Sequence, residues 1–329
     1  MDKSKKTNST SLKDSDQSEN GISEILKRYN IIKSIKNPEK SYVIEHKQTK
    51  QVYLCKHLNK KKIIDYEKLK KKLDTLLTLD HPNILKLYEI FDTKRSLYLI
   101  SEYCKGETLY DKVIKHIEKN ETYSEQEALI IFKQIISAID FSQKNGIIHQ
   151  ELDLEDLIYL NKGEEKNNPL KLNLIKYKSK DETLKQKLNK PYYNSPEFLS
   201  GKYTNKSNLW NAGVILYILL GGEPPFKGGN DYTIYNKINE VNFNFGKKWD
   251  NISESAKDLI SHLLIVENER YDIQQIFEHP WMNNGKVNKK ILSFNFQRSS
   301  RYNRVNVHYE IQSITYISSI VKESDNINE

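Results

Sequence analysis

The chain has 329 residues, 37% of them hydrophobic, enough for one two-lobed domain with tails, or two small domains, around a sizeable core. Its net charge of +8 gathers in lysine clusters at 60–62, 68–72 and 185–190; no aromatic platform or known module lies beside them, so they read as solvated faces and nucleic acid is not an expected partner. The longest apolar run, Val214 to Leu220, is far too short to span a bilayer, no signal-peptide pattern is present, and Asp2 stands where N-myristoylation needs a glycine. With only two cysteines, Cys55 and Cys104, a reducing, cytoplasmic compartment is expected, with no membrane partner.

Residues 1–22 are Ser, Lys, Asp and Asn with almost nothing apolar and are expected to be a disordered tail. Tyr42–Ile44 and Val52–His57 read as strands around a Thr49-Lys50 turn. Ile64–Leu79 carries helical spacing through Leu69, Leu73, Leu76 and Leu77, and Ile84–Phe91 and Ser96–Tyr103 read as two more strands. The chain then turns helical over Leu109–Ile117, Ser124–Asn145, Leu209–Leu220, Tyr232–Val241 and Ser253–Val266, with Asp111, Ser124 and Ser253 as caps. No internal repeat is evident. Beyond residue 282 the chain is polar, apart from Tyr309–Val321, whose Ile311, Ile314, Ile317 and Ile320 suggest a short amphipathic helix. A small β-rich part followed by a larger helical part is one α+β architecture.

Several runs occur in a fixed order: Val52-Tyr53-Leu54-Cys55-Lys56, His81-Pro82-Asn83-Ile84, Gly106 to Asp111, Gly146-Ile147-Ile148-His149, Ser195-Pro196-Glu197, Gly213 to Phe226 with Trp210 before it, and His279-Pro280-Trp281. On these the chain, from Tyr29 to Met282, resembles the protein kinase superfamily, most of all its calcium/calmodulin-dependent and calcium-dependent Ser/Thr kinases. The resemblance implies a bilobal fold over residues 23–282. A β-rich N-lobe would run to about 103 and a helical C-lobe from about 104, followed by an extension over 283–329. In that region related kinases carry an autoinhibitory helix and calcium-binding hands, but no Asp-rich twelve-residue calcium loop occurs here. The Tyr309–Val321 helix is therefore expected to pack or dock, and the Ser-containing basic run 297–304 is at most a common phosphorylation-like pattern.

Phosphoryl transfer needs a phosphate cradle, divalent metal and a base or aligner for the hydroxyl. The cradle is normally a glycine-rich turn, because backbone N–H groups must approach the phosphates closely. Residues 34–43 contain no glycine, and Pro38 and Glu39 stand where N–H groups should point. Lys56 matches the lysine that holds the α- and β-phosphates; it reads first as a partly exposed lysine left from an active ancestor, with residual ATP contact as the alternative. Its glutamate partner falls on Lys72, a like charge, with Glu67 and Asp74 off the required turn. Leu54, where alanine is usual, is expected to fill the adenine slot and complete an apolar column with Val43 and Ile158.

The catalytic loop matches His149 to Asp156. Gln150 replaces the arginine that reads a phosphorylated activation loop, and Glu151 replaces the aspartate that accepts the hydroxyl proton, one methylene too long. Asp153 replaces a lysine and Asp156 the metal-binding asparagine. Asp-Phe-Gly falls on Leu174-Ile175-Lys176, where leucine cannot ligate Mg²⁺ and the lysine repels it; no carboxylate follows in this loop until Asp181. Asn208 replaces the aspartate that holds the catalytic-loop backbone, and Lys190 replaces the threonine beside the base. As an alternative, Glu151, Asp153, Glu155 and Asp156 could gather a divalent ion in a new way. The scaffold positions persist: Leu76, Leu87, His149 and Ile175 match the column linking the lobes, and Glu197 and Arg270 match a structural ion pair.

The sequence therefore reads as a degenerate kinase, a pseudokinase with no catalytic residues, metal or cofactor expected, though residual ATP contact through Lys56 stays open. It is expected to act as a scaffold or allosteric partner, with an active kinase or a larger assembly as the protein partner. A weak, atypical Ser/Thr kinase carried by Lys56, Glu151 and Asp156 is the rival class.

Overall fold

A computed structural model describes residues 19–35, 40–149, 151–163, 168–177 and 191–284. The N-terminal part is a five-stranded antiparallel sheet, β1 Tyr29–Ile35, β2 Ser41–His46, β3 Val52–Asn59, β4 Leu87–Asp92 and β5 Ser96–Glu102, in the order β1-β2-β3-β5-β4. Strand alternation divides its side chains. Tyr42 and Ile44 join Cys55, Tyr98 and Ile100 on one face, where helix α1 (Glu19–Arg28) lays Ile25 across them. Val43 lies on the other face with Ile35 and Tyr103, directly opposite Leu54 in the β2–β3 register.

Helix α2 (Tyr66–Thr78) starts where the Asp65 carboxylate accepts the Lys68 N–H at 3.0 Å. Its buried stripe of Leu69, Leu73 and Leu76 has i, i+4, i+7 spacing. The α2–β4 connection is fastened to the C-terminal part. Asn83 Nδ2 donates to Gln134 Oε1 at 2.7 Å and to the Leu170 carbonyl at 3.0 Å, and Leu85 N donates to Leu172 O at 2.9 Å.

The C-terminal part holds α3 Leu109–Glu118, α4 Glu125–Lys144, the two-stranded β6 Leu157–Tyr159 and β7 Leu170–Leu172, then α5 Pro196–Leu199, α6 Asn205–Gly221, α7 Asp231–Asn239, α8 Glu254–Leu263, α9 Ile273–Glu278 and α10 Pro280–Asn284. Helix α6 is apolar all round and buried from Ser207 to Gly221, as a helix at the centre of a helical layer should be. It stops at Gly222, whose φ of 70° is a left-handed cap that favours glycine. Gly213 lets α6 and α8 close up, since a Cβ there would sit 2.8 Å from Leu263 Cβ.

Several boundaries differ from the sequence reading. A helix begins at Glu19, inside the stretch expected to be a disordered tail. Strand β1 has no counterpart among the expected elements; its outward residues Ile31 and Ile32 stay exposed, so the alternation signal is missing. The expected strand at Ile84–Phe91 begins only at Leu87, because Ile84 instead bridges to Leu172. Thr108, not Asp111, is the N-cap of α3: its hydroxyl accepts the Asp111 N–H at 3.0 Å, and the Asp111 carboxylate accepts the Thr108 N–H in return at 3.1 Å. Ser124 and Ser253 do cap α4 and α8. Among the described residues no helix is long and apolar enough to cross a membrane. Tyr309–Val321 and the run 297–304 lie outside them.

Candidate functional site: the cleft between sheet and helices

The site grows from the face of β3 that carries Leu54 and Lys56. Lys56 pairs with Leu99 of β5, and its ammonium lies 5.6 Å from the centre of the Tyr177 ring. Leu54 packs with Ile35, Val43 and Tyr103 and stops there; Ile158 belongs to the main core, against which Leu54 does not pack. The expected continuous column Val43–Leu54–Ile158 is therefore not formed.

Opposite β3 lies the loop from His149 to Asp156. Leu152 and Leu154, both buried, pin it to the core. Its end is a 3-10 turn, Leu154–Asp156, whose start is capped by Asp153: Oδ1 accepts the Glu155 N–H at 2.7 Å, while Asp153 N donates to Asp156 Oδ2 at 3.1 Å. The His149 carbonyl accepts from the Asn208 amide and from Tyr203 Oη at 2.7 Å. Asparagine thus holds this loop where the family pattern has aspartate, with tyrosine assisting. His149 itself is buried and donates from Nε2 to the Asn173 carbonyl at 3.1 Å. Burial first, then the charges of Lys176 and Lys72, keeps its imidazole well below the ordinary range and therefore neutral.

The segment after β7 closes the site. Leu174 is fully buried and Ile175 nearly so, packed in the main core. Lys176 turns back: its ammonium donates to Asp156 Oδ2 at 2.6 Å and to the Glu151 carbonyl at 3.0 Å, with Asp153 Oδ2 at 3.9 Å. The Lys176 side chain is 40% exposed while that of Asp156 is 4% exposed, so a part-exposed lysine pairs with a buried carboxylate. Burial raises the Asp156 carboxyl to about 7, Asp153 pushes the same way, and Lys176 opposes both. Burial alone would lower the Lys176 ammonium, but Asp156 and Asp153 outweigh it and raise it. Half-buried Lys72 on α2 completes the cluster. Its amine is pushed down to about 8 by burial and then by Lys176.

The four loop carboxylates do not converge. Asp153 caps the turn, Asp156 points inward to Lys176, and Glu151 and Glu155 are exposed. Among the described residues no group of three or more His, Cys, Asp or Glu could hold a metal ion. A divalent ion does not fit beside Asp156 as the loop stands, because an ammonium already occupies that carboxylate and leucine fills the other expected ligand position. Glu67 and Asp74 are exposed. Gln150, Pro38, Glu39, Asp181 and Lys190 lie outside the described residues.

Away from the cleft, Arg270 and Glu197 form a two-pronged ion pair, Nη1–Oε1 2.6 Å and Nη2–Oε2 3.0 Å, with side chains 0% and 7% exposed. Leu76 and Leu87 are buried in the same core as Ile175, and His149 is buried as well. The sequence reading takes Lys176 as a repellent and misses it as a partner. The one signal available is that Asp156 and Lys176 reverse two positions together, an acid gained where the metal-binding asparagine stood and a base gained in the metal-binding motif. It also misses Tyr203, for which no local signal exists.

Residues 37–282 match the protein kinase domain family. The chain is 38% identical over 252 residues to calcium-dependent protein kinase 5 of Plasmodium falciparum, covering 75% of this chain and 43% of that one. It is 36% identical over 242 residues to calcium-dependent protein kinase 3 of Plasmodium berghei (70% and 42%). With myosin light chain kinase A of Dictyostelium discoideum it shares 37% identity over 260 residues (76% and 85%). The chain spans less than half the length of the two calcium-dependent relatives.

Proposed function

We propose that this chain, which belongs to the protein kinase family, does not carry out metal-dependent phosphoryl transfer and works by binding other proteins, as a scaffold or allosteric partner. One observation carries this reading: the Lys176 ammonium sits 2.6 Å from the Asp156 carboxylate, where catalysis needs a divalent ion. Transfer requires that ion to neutralise charge building on the phosphoryl oxygens. Here Leu174 offers no ligand and is fully buried. The retained framework, from Arg270–Glu197 to buried α6, supports a protein that still needs its shape. An active kinase or a larger assembly in the cytoplasm is the proposed partner.

A radiolabel-transfer assay with Mg²⁺ or Mn²⁺ and generic protein substrates tests the reading. Incorporation is expected to equal that of the Lys56→Ala control. The second reading, weak activity as an atypical Ser/Thr kinase, draws on Lys56 holding its place on β3 and on Asp156 lying in the cleft. Incorporation that is metal-dependent and lost in Lys56→Ala would establish it. On the proposed reading, affinity purification of the full chain should recover stoichiometric protein partners; a chain that is always alone and monomeric speaks against it.

A further inference from the structure

The lysines at 60–62 and 68–72 read from sequence as separate solvated faces, but the fold brings members of both runs to one corner of the sheet. Strand β3 ends at Asn59, opposite Ser96 of β5, and Lys60 N donates to the Arg95 carbonyl at 3.0 Å. That bond sets the 3-10 turn Lys60–Lys62 against the β4–β5 turn. Thr93 closes the latter, donating to the Ser96 carbonyl from N at 2.9 Å and from its hydroxyl at 2.8 Å, with Lys94 and Arg95 at the tip. The first turn of α2 is fastened here too. Tyr66 Oη donates to Asp92 Oδ2, and the Lys60 ammonium pairs with Asp92 and lies 4.5 Å from the centre of the Tyr66 ring. Lys70 follows Tyr66 by one helical turn. Burial would raise the Asp92 carboxyl, but Lys60, Tyr66 and then the charge of Lys70 hold it below its ordinary value, so Lys70 acts on the same spot.

Six basic residues, Lys60, Lys61, Lys62, Lys70, Lys94 and Arg95, thus share this corner, and all but Lys60 are exposed. Its acidic residues are fewer: Asp92, which Lys60 holds, Asp65, which caps α2, and exposed Glu67. Like charges gathered on one surface repel, and an anionic partner relieves that repulsion. Beside them Ile63 is buried while Ile64 is 50% exposed, so the same turn presents an apolar side chain. Tyr66 offers a nucleic-acid base no stacking platform, because Asp92 takes its hydroxyl and an ammonium lies over its ring. A bilayer would meet a net charge diluted by Asp65, Glu67 and Asp92, with the apolar stripe of α2 turned inward. A peptide instead pairs its carboxylates with individual lysines around one apolar contact. We propose that this corner docks an acidic segment of another protein, carboxylates on the exposed lysines and Arg95 and one apolar side chain against Ile64. The inference rests on the reading that the chain works by binding other proteins, and goes further by naming the surface and the partner's chemistry.

Fluorescence anisotropy with the full chain tests this, using labelled heptaglutamate, the same peptide with a central leucine, and a uridine oligonucleotide. Sedimentation with vesicles of phosphatidylserine and phosphatidylcholine runs in parallel. The leucine peptide should bind most tightly and plain heptaglutamate more weakly, both losing affinity as salt rises. Lys61→Glu combined with Lys94→Glu should weaken both peptides about tenfold. The same change of net charge made in the C-terminal part, at exposed Lys247 and Lys248, should leave binding intact. Ile64→Ser should abolish only the advantage of the leucine peptide. Unchanged far-UV circular dichroism and Tm establish that these surface variants fold. Equal weakening by the two double variants overturns the proposal, because net charge alone would then explain binding. Undiminished binding by Lys61→Glu with Lys94→Glu, or no peptide binding at all, also overturns it. Tighter binding of the oligonucleotide or the vesicles overturns it by assigning the corner to another kind of partner. None of these outcomes decides the reading beneath it, which stands or falls on the transfer assay and the affinity purification.

Discussion

Replacing Arg270 with methionine should be among the most damaging single changes in the protein. The guanidinium makes five hydrogen bonds: two to Glu197, one to the Lys206 carbonyl at 2.8 Å and two to the Ile265 carbonyl at 2.9 and 3.2 Å. It also lies 5.1 Å over the Trp210 ring. Methionine would fill much of the volume but strand a carboxylate whose side chain is 7% exposed. Removing one partner of such a pair costs about 3–5 kcal/mol, most of it the uncompensated charge. That corresponds to a Tm loss of roughly 6–20 °C for a domain of this size. Urea unfolding followed by the fluorescence of the buried tryptophans, with far-UV circular dichroism as a second probe, measures it.

The pH dependence sharpens the test. Burial would raise the Glu197 carboxyl, but Arg270 overrides it and holds that group below its ordinary 4.5. A depressed folded value means that the pair's contribution is present above the unfolded value and is lost as pH falls below it. Without Arg270 burial prevails, the carboxyl rises, and protonation relieves the variant. The gap between wild type and Arg270→Met should therefore narrow from pH 7 to pH 4, and adding Glu197→Gln to the variant should recover stability. A variant within 1 kcal/mol of wild type at pH 7, or a gap that widens on acidification, would refute the reasoning.

Acidification should also destabilise the wild type through two neutral histidines. Burial lowers His81 to about 4 and holds His149 well below the ordinary histidine value, so the unfolded chain binds more protons below its own histidine value near 6.5. Each contributes a slope of at most ~1.4 kcal/mol per pH unit, and Asp156, raised to about 7, opposes only one of them. Urea midpoints should fall from pH 6.5 to pH 4.5, and His81→Asn should flatten the curve. Gly106→Ala should cost at least about 2–3 kcal/mol in the same assay, because a methyl there runs into Tyr159 and lies 2.5 Å from the Asn161 carbonyl. Cys55 and Cys104, buried with thiols that burial raises, should stay unreactive to a thiol reagent until the protein unfolds; fast labelling of either in native buffer would contradict their packing.

The parts of this molecule legible in the sequence are those set by local periodicity or by short-range contact. The Leu69-Leu73-Leu76 stripe of α2 and the alternation of Tyr42, Val43 and Ile44 follow from the helix and strand repeats. The cap of α3 is misplaced by three residues in the sequence reading because Thr108 and Asp111 bond reciprocally, and either looks like a cap in isolation. The cleft is harder to read. Lys176 lies 20 residues from Asp156, and their pairing depends on how β6 and β7 bring two loops together.

Because Lys176 and Asp156 belong to one chain, their contact is governed by effective concentration, not by the supply of an ion. A divalent ion at this carboxylate would come and go with its free level and with any chelator. A tethered ammonium is present at an effective concentration of at least the millimolar order at all times. The loop from Glu151 to Asp156 therefore keeps one shape whatever the mineral content of its surroundings. Any surface that this loop helps to build is displayed constitutively, so a partner reading it would sense how much of this protein is present and nothing about the ionic state of the cell.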